Sequence, residues 1–588
     1  MQRTINYWRW ELRAAVLLIV LVCTLTLGVF VPWLGIYYDD IPAFYILSRL
    51  SLGHLIDLTW GQARPVYAIL MWLTGSSPLV AHTLMFAFHT ANALLLMFLI
   101  RRVLKRYTLF ATLVAILYCI YPLYWLHPTS VGLAVDGSLF LCLASFLLGL
   151  IAVTSRGVKR WFSFAAALIC IPVYFFLYEL PFPLEVLRPL LFGLILTAAS
   201  QGRRQWLYRT ARWSAPYLLT ALGLGYYRLF VFKATGFYAQ IGYNVPNVSA
   251  VTHKLRDVIT LYASVFGDQL LRTWQYHIGQ LPMLATPLAL VFALVVVAAL
   301  LVYVILFYVI LLYRGRNVGG DIDYYLSPKV HWLMIACSGL LIMVLGQVTL
   351  VATLSTPQIT GLLSRWNLVS IIGVSIFMAA CALLLAGLVF KRGALAVGSL
   401  ILSPLIGMGV ILQVSNAQQF VNEWNQQRQF WWQLAWRVPD LEDHTTVIVD
   451  HAFERAQNRN VYVYETLMMG ELFFDNKTVA VVSTEQVPLG RWDLDNGTWK
   501  IGWAFPVDRA LLVSLHDGCL EIVDPGKPLP AGVTLSSSAQ RLLTQLPPHP
   551  EQFVKRQTDR LFADRYKYFA PEPPHDECYR YEKSKYSE

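Results

Sequence analysis

Charge is scarce in this sequence. Only 14% of its 588 residues are charged, whereas a soluble domain carries about 25%. Hydrophobic residues make up 57% and the mean hydropathy is +0.52, which excludes an ordinary soluble globular protein. The net charge of +11 does not indicate nucleic-acid binding, because the basic residues lie in short groups between apolar stretches.

Several other features are missing. There is no CxxC pair, no His-rich metal spacing and no internal repeat. A cleavable signal peptide is not indicated, because the first apolar run, 14–34, leads into Asp39 and Asp40 and not into a small-residue cleavage site. Six of the eight cysteines lie in apolar stretches. Cys519 and Cys578 lie in the C-terminal segment and could pair if that segment is extracytoplasmic.

What the chain has in abundance is apolar stretches of bilayer length, about 20 residues each. They predict a polytopic α-helical membrane protein with about 11 transmembrane helices. The stretches lie near 14–34, 79–100, 108–125, 138–153, 161–178, 182–200, 213–231, 285–313, 330–354, 367–390 and 393–414.

The loops between these stretches alternate in charge. One set holds 19 basic residues and the other, up to the last stretch, holds 7. The positive-inside rule therefore predicts a cytoplasmic N-terminus, and an odd helix count places the C-terminal segment outside. We expect a transmembrane domain at 1–414 and an extracytoplasmic small α/β domain at 415–588. Its elements would be a helix at Phe420–Trp436 and strands at 445–450, 478–483 and 509–514.

The first outer loop, 35–78, contains two adjacent acids, Asp39 and Asp40, directly after the first apolar stretch. A carboxylate there can deprotonate an acceptor hydroxyl, and the pair can hold a divalent metal ion as a cofactor. The alternative is a solvated pair that caps the next helix, 41–52.

Two arginines, Arg64 and Arg365, lie in outer loops against the charge bias. A guanidinium suits a phosphate, so both are candidate donor phosphate-binding residues. Arg64 could instead pair with Asp39 or Asp40, or reach the interface as a solvated side chain. Arg365 could be half of an Arg-Trp interfacial anchor with Trp366.

Three further residues are candidates for lining a polar cavity: His127, Asp136 and Glu179. Ionisable groups at membrane depth tend to be paired or functional. Helix-capping turns explain Asp136 equally well, whereas Glu179 has no oppositely charged neighbour close in sequence. Glu185 and Arg188 are three residues apart and could neutralise each other.

The order of these motifs resembles the C-type glycosyltransferase superfamily, and most closely the O-mannosyltransferases that carry tetratricopeptide repeats. The matching positions are Asp39-Asp40, Arg64-Pro65, Tyr121-Pro122 or His127-Pro128, and Arg365-Trp366, and the resemblance covers roughly residues 10–410. The sequence departs from the family by lacking the repeats and by having Ala63 before Arg64.

The resemblance implies an inverting transfer of a sugar from a polyprenyl-phosphate donor to a hydroxyl of a protein, glycan or lipid. Asp40 or Asp39 would be the base, and Arg365 with Arg64 would hold the lipid phosphate. A transporter or flippase of lipid-linked saccharides is the rival interpretation, because it also places acids and arginines among membrane helices. A non-enzymatic surface scaffold would leave these residues dispersed.

Overall fold

The fold is described from a computed structural model. The described residues are 2–37, 40, 44, 47, 51–75, 77–104, 107–130, 132–197, 202–235, 255–317, 329–352, 358–390, 393–438, 440–450, 480–483, 493–495, 498–500, 509–516, 519–529, 535–543, 546, 548, 549, 552 and 554–555. The chain divides into two compact units. The first comprises 1–33, 56–70 and 79–418, and the second comprises 34–55, 71–78 and 419–588.

Helices dominate the described chain. Their bounds are α1 Gln2–Thr26, α2 Leu52–Trp60, α3 Pro65–Thr74, α4 Pro78–Val103, α5 Thr108–Ile120, α6 Gly132–Thr154, α7 Gly157–Leu177, α8 Arg188–Thr197, α9 Arg203–Tyr226, α10 Leu255–Gly267, α11 Thr273–Leu284, α12 Pro287–Asn317, α13 Lys329–Ala352, α14 Leu368–Val389, α15 Ala394–Arg437 and α16 Ser537–Leu543. Short 3₁₀ turns occupy Gly28–Trp33, Phe182–Leu187 and Leu362–Asn367, and π-helical turns occupy Tyr227–Val231 and Asp268–Arg272.

Eight helical segments in the described chain are long and apolar enough to cross a membrane. They are Trp10–Trp33, Pro78–Val103, Gly132–Thr154, Gly157–Leu177, Pro287–Val309, His331–Thr349, Leu363–Val389 and Ala394–Leu434. The expectation of a polytopic helical membrane protein agrees with these segments. The other three predicted stretches are also helical, in α5, α8 and α9, but α5 and α8 are short and α9 begins with several arginines. The count of eleven therefore stays a prediction.

Helices of the first unit pack closely where glycine and small polar residues face each other. A Cβ added at Gly339 in α13 would lie 2.7 Å from the carbonyl oxygen of Gly373 in α14, so the two backbones touch there. Further along the same pair, the Gln347 side-chain amide donates to the Ser370 hydroxyl at 2.9 Å. Apolar surface alone cannot drive helices together inside lipid, so these contacts fix the pairing.

The predicted Glu185–Arg188 pair is confirmed. Arg188 Nε and Nη2 each lie 2.6 Å from a Glu185 oxygen, and both side chains are buried. Arg188 also donates to Ser145 of α6 and lies over the rings of Phe146 and Tyr217. The buried charge is therefore neutralised and surrounded, which makes this pair part of the helix packing.

The second unit contains a four-stranded sheet in the order β3-β2-β6-β7, in which β2 is parallel to β3 and β6, and β7 is antiparallel to β6. The strands β2 Thr446–Asp450, β3 Ala480–Ser483 and β6 Ala510–His516 confirm the three predicted strands. The remaining strands are β1 Asp440–Leu441, β4 Asp493–Asp495, β5 Thr498–Lys500, β7 Cys519–Val523 and β8 Val554–Lys555. Ser536 caps α16, which packs on the sheet through Leu535 and Ala539.

The helix predicted at Phe420–Trp436 is present, but it is the end of α15 and not a separate element. The sequence after Gly409 contains no glycine or proline before Arg437, so nothing interrupts the helix at the predicted boundary of 414/415. Cys519 is disulfide-bonded, and Cys578 lies outside the described residues.

Candidate active site

A buried polar network joins His127 and Asp136, two of the predicted cavity-lining residues. His89 of α4 lies between them, with its Nδ1 3.1 Å from Asp136 Oδ1 and 3.2 Å from His127 Nε2. The Asn92 amide donates to Asp136 Oδ1 at 3.2 Å, and the Tyr124 hydroxyl donates to Oδ2 at 3.3 Å. The Asp136 carboxylate therefore holds side chains from α4 and from the segment 121–130, instead of capping its own helix.

His127 also borders a cavity of about 10 Å³, lined by Thr26, Leu27, His89, Cys119, His127, Pro128, Gln413 and Ala417. This volume accommodates about one water molecule and not a sugar. Burial lowers the pKa of His127 well below its usual value, and the nearby His89 lowers it further, so the imidazole is neutral at physiological pH. The network therefore positions the segment 121–130 and does not itself enclose a substrate.

Arginines gather on a second acid, Glu179, which follows α7. Arg64 Nε and Nη2 donate to the two Glu179 oxygens at 3.0 Å each, and Arg228 Nη2 lies 3.4 Å from Oε1. The Arg64 guanidinium also lies 4.0 Å above the centre of the Tyr178 ring. Glu179 thus has two partners that are distant in sequence, and we call Arg64, Tyr178, Glu179 and Arg228 the Tyr178 cluster.

Local structure explains how Arg64 reaches Glu179. Arg64 ends a tight turn in which Ala63 adopts a φ of 62°, a left-handed conformation that is uncommon for a residue with a side chain. Pro65 then begins α3, a position where its fixed φ and missing N–H fit the helix. Gln62 accepts a further hydrogen bond from Arg64 Nη1 at 3.2 Å. The guanidinium is therefore fixed on three sides.

The pKa of Glu179 reports the strength of this arrangement. Burial disfavours the carboxylate, but attraction by Arg64, its hydrogen bonds and the charge of Arg228 outweigh burial and lower the pKa to about 2. Glu179 is therefore ionised at physiological pH and serves as the counter-ion of the two arginines.

Arg365 reaches the same neighbourhood from the 3₁₀ turn Leu362–Asn367. The adjacent Trp366 donates from Nε1 to the Tyr178 hydroxyl at 3.1 Å, and the Ser364 hydroxyl accepts from the Trp125 N–H at 3.2 Å. Burial raises the pKa of Tyr124, and the positive charge of Arg365 opposes that rise, which places the guanidinium near this phenol. Arg365 thus lies near Tyr124, and its neighbour Trp366 bonds to Tyr178, the tyrosine over which Arg64 lies.

Asp40 belongs to the second unit and is 1% exposed. Its Oδ2 accepts the Tyr37 N–H at 3.2 Å. Tyr37 is itself fixed to α15, because its hydroxyl donates to the Phe420 carbonyl at 2.7 Å. A Cβ at Gly35 would overlap the Trp424 ring, so only glycine allows this approach.

Asp39 lies outside the described residues, so the expected metal site at the Asp pair is described only through Asp40. Among the residues that the structure describes, no group of three or more His, Cys, Asp or Glu side chains forms a metal-ligand cluster.

Sequence reasoning missed His89, Asn92, Tyr178, Arg228 and Gln413. A signal existed for the first two, because His82, His89 and Asn92 are polar residues within an apolar stretch, at spacings of seven and three that place them on one helix face. No local pattern marks Arg228 or Gln413, whose amide donates to the Tyr121 carbonyl at 3.0 Å.

Comparison with protein families and with curated proteins gives no match.

Proposed function

We propose that the chain is a membrane glycosyltransferase of the C type. It transfers a sugar from a polyprenyl-phosphate donor to an acceptor hydroxyl on the outer face of the membrane. The observation that supports this most is the Tyr178 cluster, in which Arg64 and Arg228 hold the Glu179 carboxylate and Arg64 also lies over the Tyr178 ring. Its formal charge is positive even with Glu179 ionised, which suits a dianionic lipid phosphate.

The proposed reaction assigns unequal roles to the two kinds of residue. The acceptor oxygen gives its proton to the carboxylate of Asp40 or Asp39 and forms a bond to the anomeric carbon on the face opposite the phosphate. The bond between that carbon and the phosphate oxygen breaks, and the lipid phosphate leaves with the electron pair. Arg365, helped by Arg64, stabilises the charge that develops on it.

Proximity to a guanidinium pair also explains why Glu179 is not proposed as the base. A carboxylate with a pKa of about 2, held by Arg64 and Arg228, is a weak proton acceptor. Asp40 is the better candidate because it is one of the two adjacent acids at which the resemblance places the base.

The test is transfer from a set of polyprenyl-phosphate sugars to a hydroxyl acceptor, with donor binding measured separately. We expect Asp40→Asn to lower turnover by about 10²–10⁴-fold, the usual range for a general base, while the donor still binds. Asp39→Asn is measured beside it, because the resemblance does not rank the two acids. Asp57→Asn is the matched control, since Asp57 is an exposed acid on α2.

Two outcomes would overturn the proposal. If both Asp39→Asn and Asp40→Asn leave transfer intact, the base assignment is wrong. If the wild-type chain transfers no sugar but moves labelled lipid-linked sugar across a bilayer, the flippase interpretation replaces it.

A further inference from the structure

A large cavity lies in the first unit at the opposite end of α7 from Glu179. Its volume is about 1400 Å³, and its walls come from α4, α6, α7, α8 and α9. The charged residues that line it are Arg101, Arg102, Arg156, Arg160, Arg209 and Arg212. We call it the Trp213 cavity, after the indole that lies under Arg160.

None of the described residues that line the cavity is acidic. The partners seen for two of its arginines are neutral: Arg102 donates to the Thr154 hydroxyl, and Arg160 Nε donates to the Ser155 carbonyl at 2.7 Å. Arg160 also lies 5.7 Å from the Trp213 ring centre. Six guanidinium groups around one space attract an anion, which would gain charge-assisted hydrogen bonds from them.

Apart from Thr154 and Gln205, the rest of the lining is apolar or aromatic. Phe98, Leu147, Ile151, Phe164, Ile195 and Leu196 contribute hydrocarbon surface. Trp161 lies at the rim and is 65% exposed. A small soluble anion would contact only the arginines and leave this apolar surface uncovered. A ligand with a phosphate headgroup and acyl chains matches both the arginines and the apolar lining.

The position of the cavity agrees with this chemistry. Its arginines come from the C-terminal end of α4 and the N-terminal ends of α7 and α9, which the positive-inside rule predicts to be cytoplasmic. Anionic phospholipids attract basic groups on that face, and basic pockets between transmembrane helices bind their headgroups. We propose that the Trp213 cavity binds an anionic phospholipid through its phosphate headgroup. This proposal is independent of the glycosyltransferase assignment.

The experiment uses the full-length chain in a neutral detergent, with phosphatidylglycerol as the probe. We expect phosphatidylglycerol to raise the midpoint of thermal unfolding in a saturable manner, and phosphatidylcholine at the same concentration to raise it much less. Arg209→Gln/Arg212→Gln should weaken the apparent affinity by about 10- to 100-fold, from the loss of charged hydrogen bonds.

The matched control is Arg203→Gln/Arg204→Gln, which removes the same charge from the same helix at residues that do not line the cavity. Its affinity should remain within about twofold of the wild type, because exposed charges at a distance are screened. Should Arg209→Gln/Arg212→Gln fail to fold, Arg156→Gln/Arg212→Gln replaces it, since both of these arginines are exposed.

Three outcomes would overturn the proposal. Equal losses of affinity for phosphatidylglycerol in the cavity variant and the control variant would indicate binding to a diffuse basic surface. Equal stabilisation by phosphatidylcholine would show that the negative charge of the lipid does not contribute to binding. Inorganic phosphate acting as strongly as phosphatidylglycerol would make this a soluble-anion site, because the acyl chains would then contribute nothing.

Discussion

Arginines gather at both ends of α7, but in different surroundings. The helix has 21 residues, so at about 1.5 Å per residue it is about 32 Å long, close to the thickness of a hydrocarbon core. Beyond its C-terminus lies the Tyr178 cluster, where Glu179 neutralises part of the positive charge. Around its N-terminus lies the Trp213 cavity, and the described residues of its lining include six arginines and no acid.

The Tyr178 cluster and the Trp213 cavity use arginine side chains in two different ways. In the Tyr178 cluster the Glu179 carboxylate fixes the guanidinium of Arg64. Two hydrogen bonds hold the planar guanidinium in one orientation. In the Trp213 cavity, Arg102 and Arg160 donate to neutral oxygens, and the arginines border a large open volume. The first arrangement favours precise contact with a reacting phosphate, and the second favours capture of a bulky anionic amphiphile.

The two ends of α7 are expected to face different compartments, and labelling from one side should give an all-or-none difference. We expect a cysteine at Lys527→Cys, on the exposed surface of the second unit, to react with a membrane-impermeant maleimide in intact cells. A cysteine at Arg203→Cys should react only after permeabilisation. The opposite pattern would reverse the topology and remove the outer active site with it.

The next largest effect concerns pH. Because the pKa of Glu179 falls from 4.5 to about 2 on folding, its ion pairs stabilise the protein above about pH 4.5, and this contribution is lost as pH falls toward 2. With a side chain only 21% exposed, we estimate the contribution at about 2 to 3 kcal/mol.

The measurement for this prediction is the gap in thermal unfolding midpoint between the wild type and Glu179→Gln. The gap should be widest near neutral pH and close as pH is lowered from about 4.5 toward 2. A gap that does not change with pH would mean that the lost contact is not electrostatic.

Substitutions of Arg365 test the proposed contact with the donor phosphate. Arg365→Ala should weaken donor binding and slow transfer, each by about 10- to 100-fold, because a charged hydrogen bond to the phosphate is lost. Arg365→Lys should recover only part, since an ammonium lacks the planar fork. The control is Arg272→Ala, an exposed arginine paired with Asp268 one helical turn away. Equal effects in both variants would point to general electrostatics instead of a phosphate contact.

The sequence predicted the secondary structure well and the side-chain partners poorly. Local sequence pattern is enough to predict apolar helices of bilayer length and the β-branched strand Thr446–Asp450. Glu179 shows the limit. Its partners Arg64 and Arg228 lie 115 and 49 residues away, and no spacing rule connects segments that meet only after helices pack.

The smallest expected effect comes from comparing one substitution at both ends of α7. Arg228→Gln removes a half-buried partner of Glu179, so it should destabilise the protein by about 1 to 3 kcal/mol. Arg156→Gln removes an exposed arginine from the lining of the Trp213 cavity, where its charged neighbours in the lining are also positive. It should change stability by less than about 0.5 kcal/mol, because no favourable pair in the lining is broken and repulsion falls slightly.

Both variants are measured by unfolding midpoint in the same lipid-free detergent, so that a bound phospholipid does not contribute. Equal losses would mean that Arg156 has an acidic partner of its own, and the contrast between the two ends of α7 would then fail.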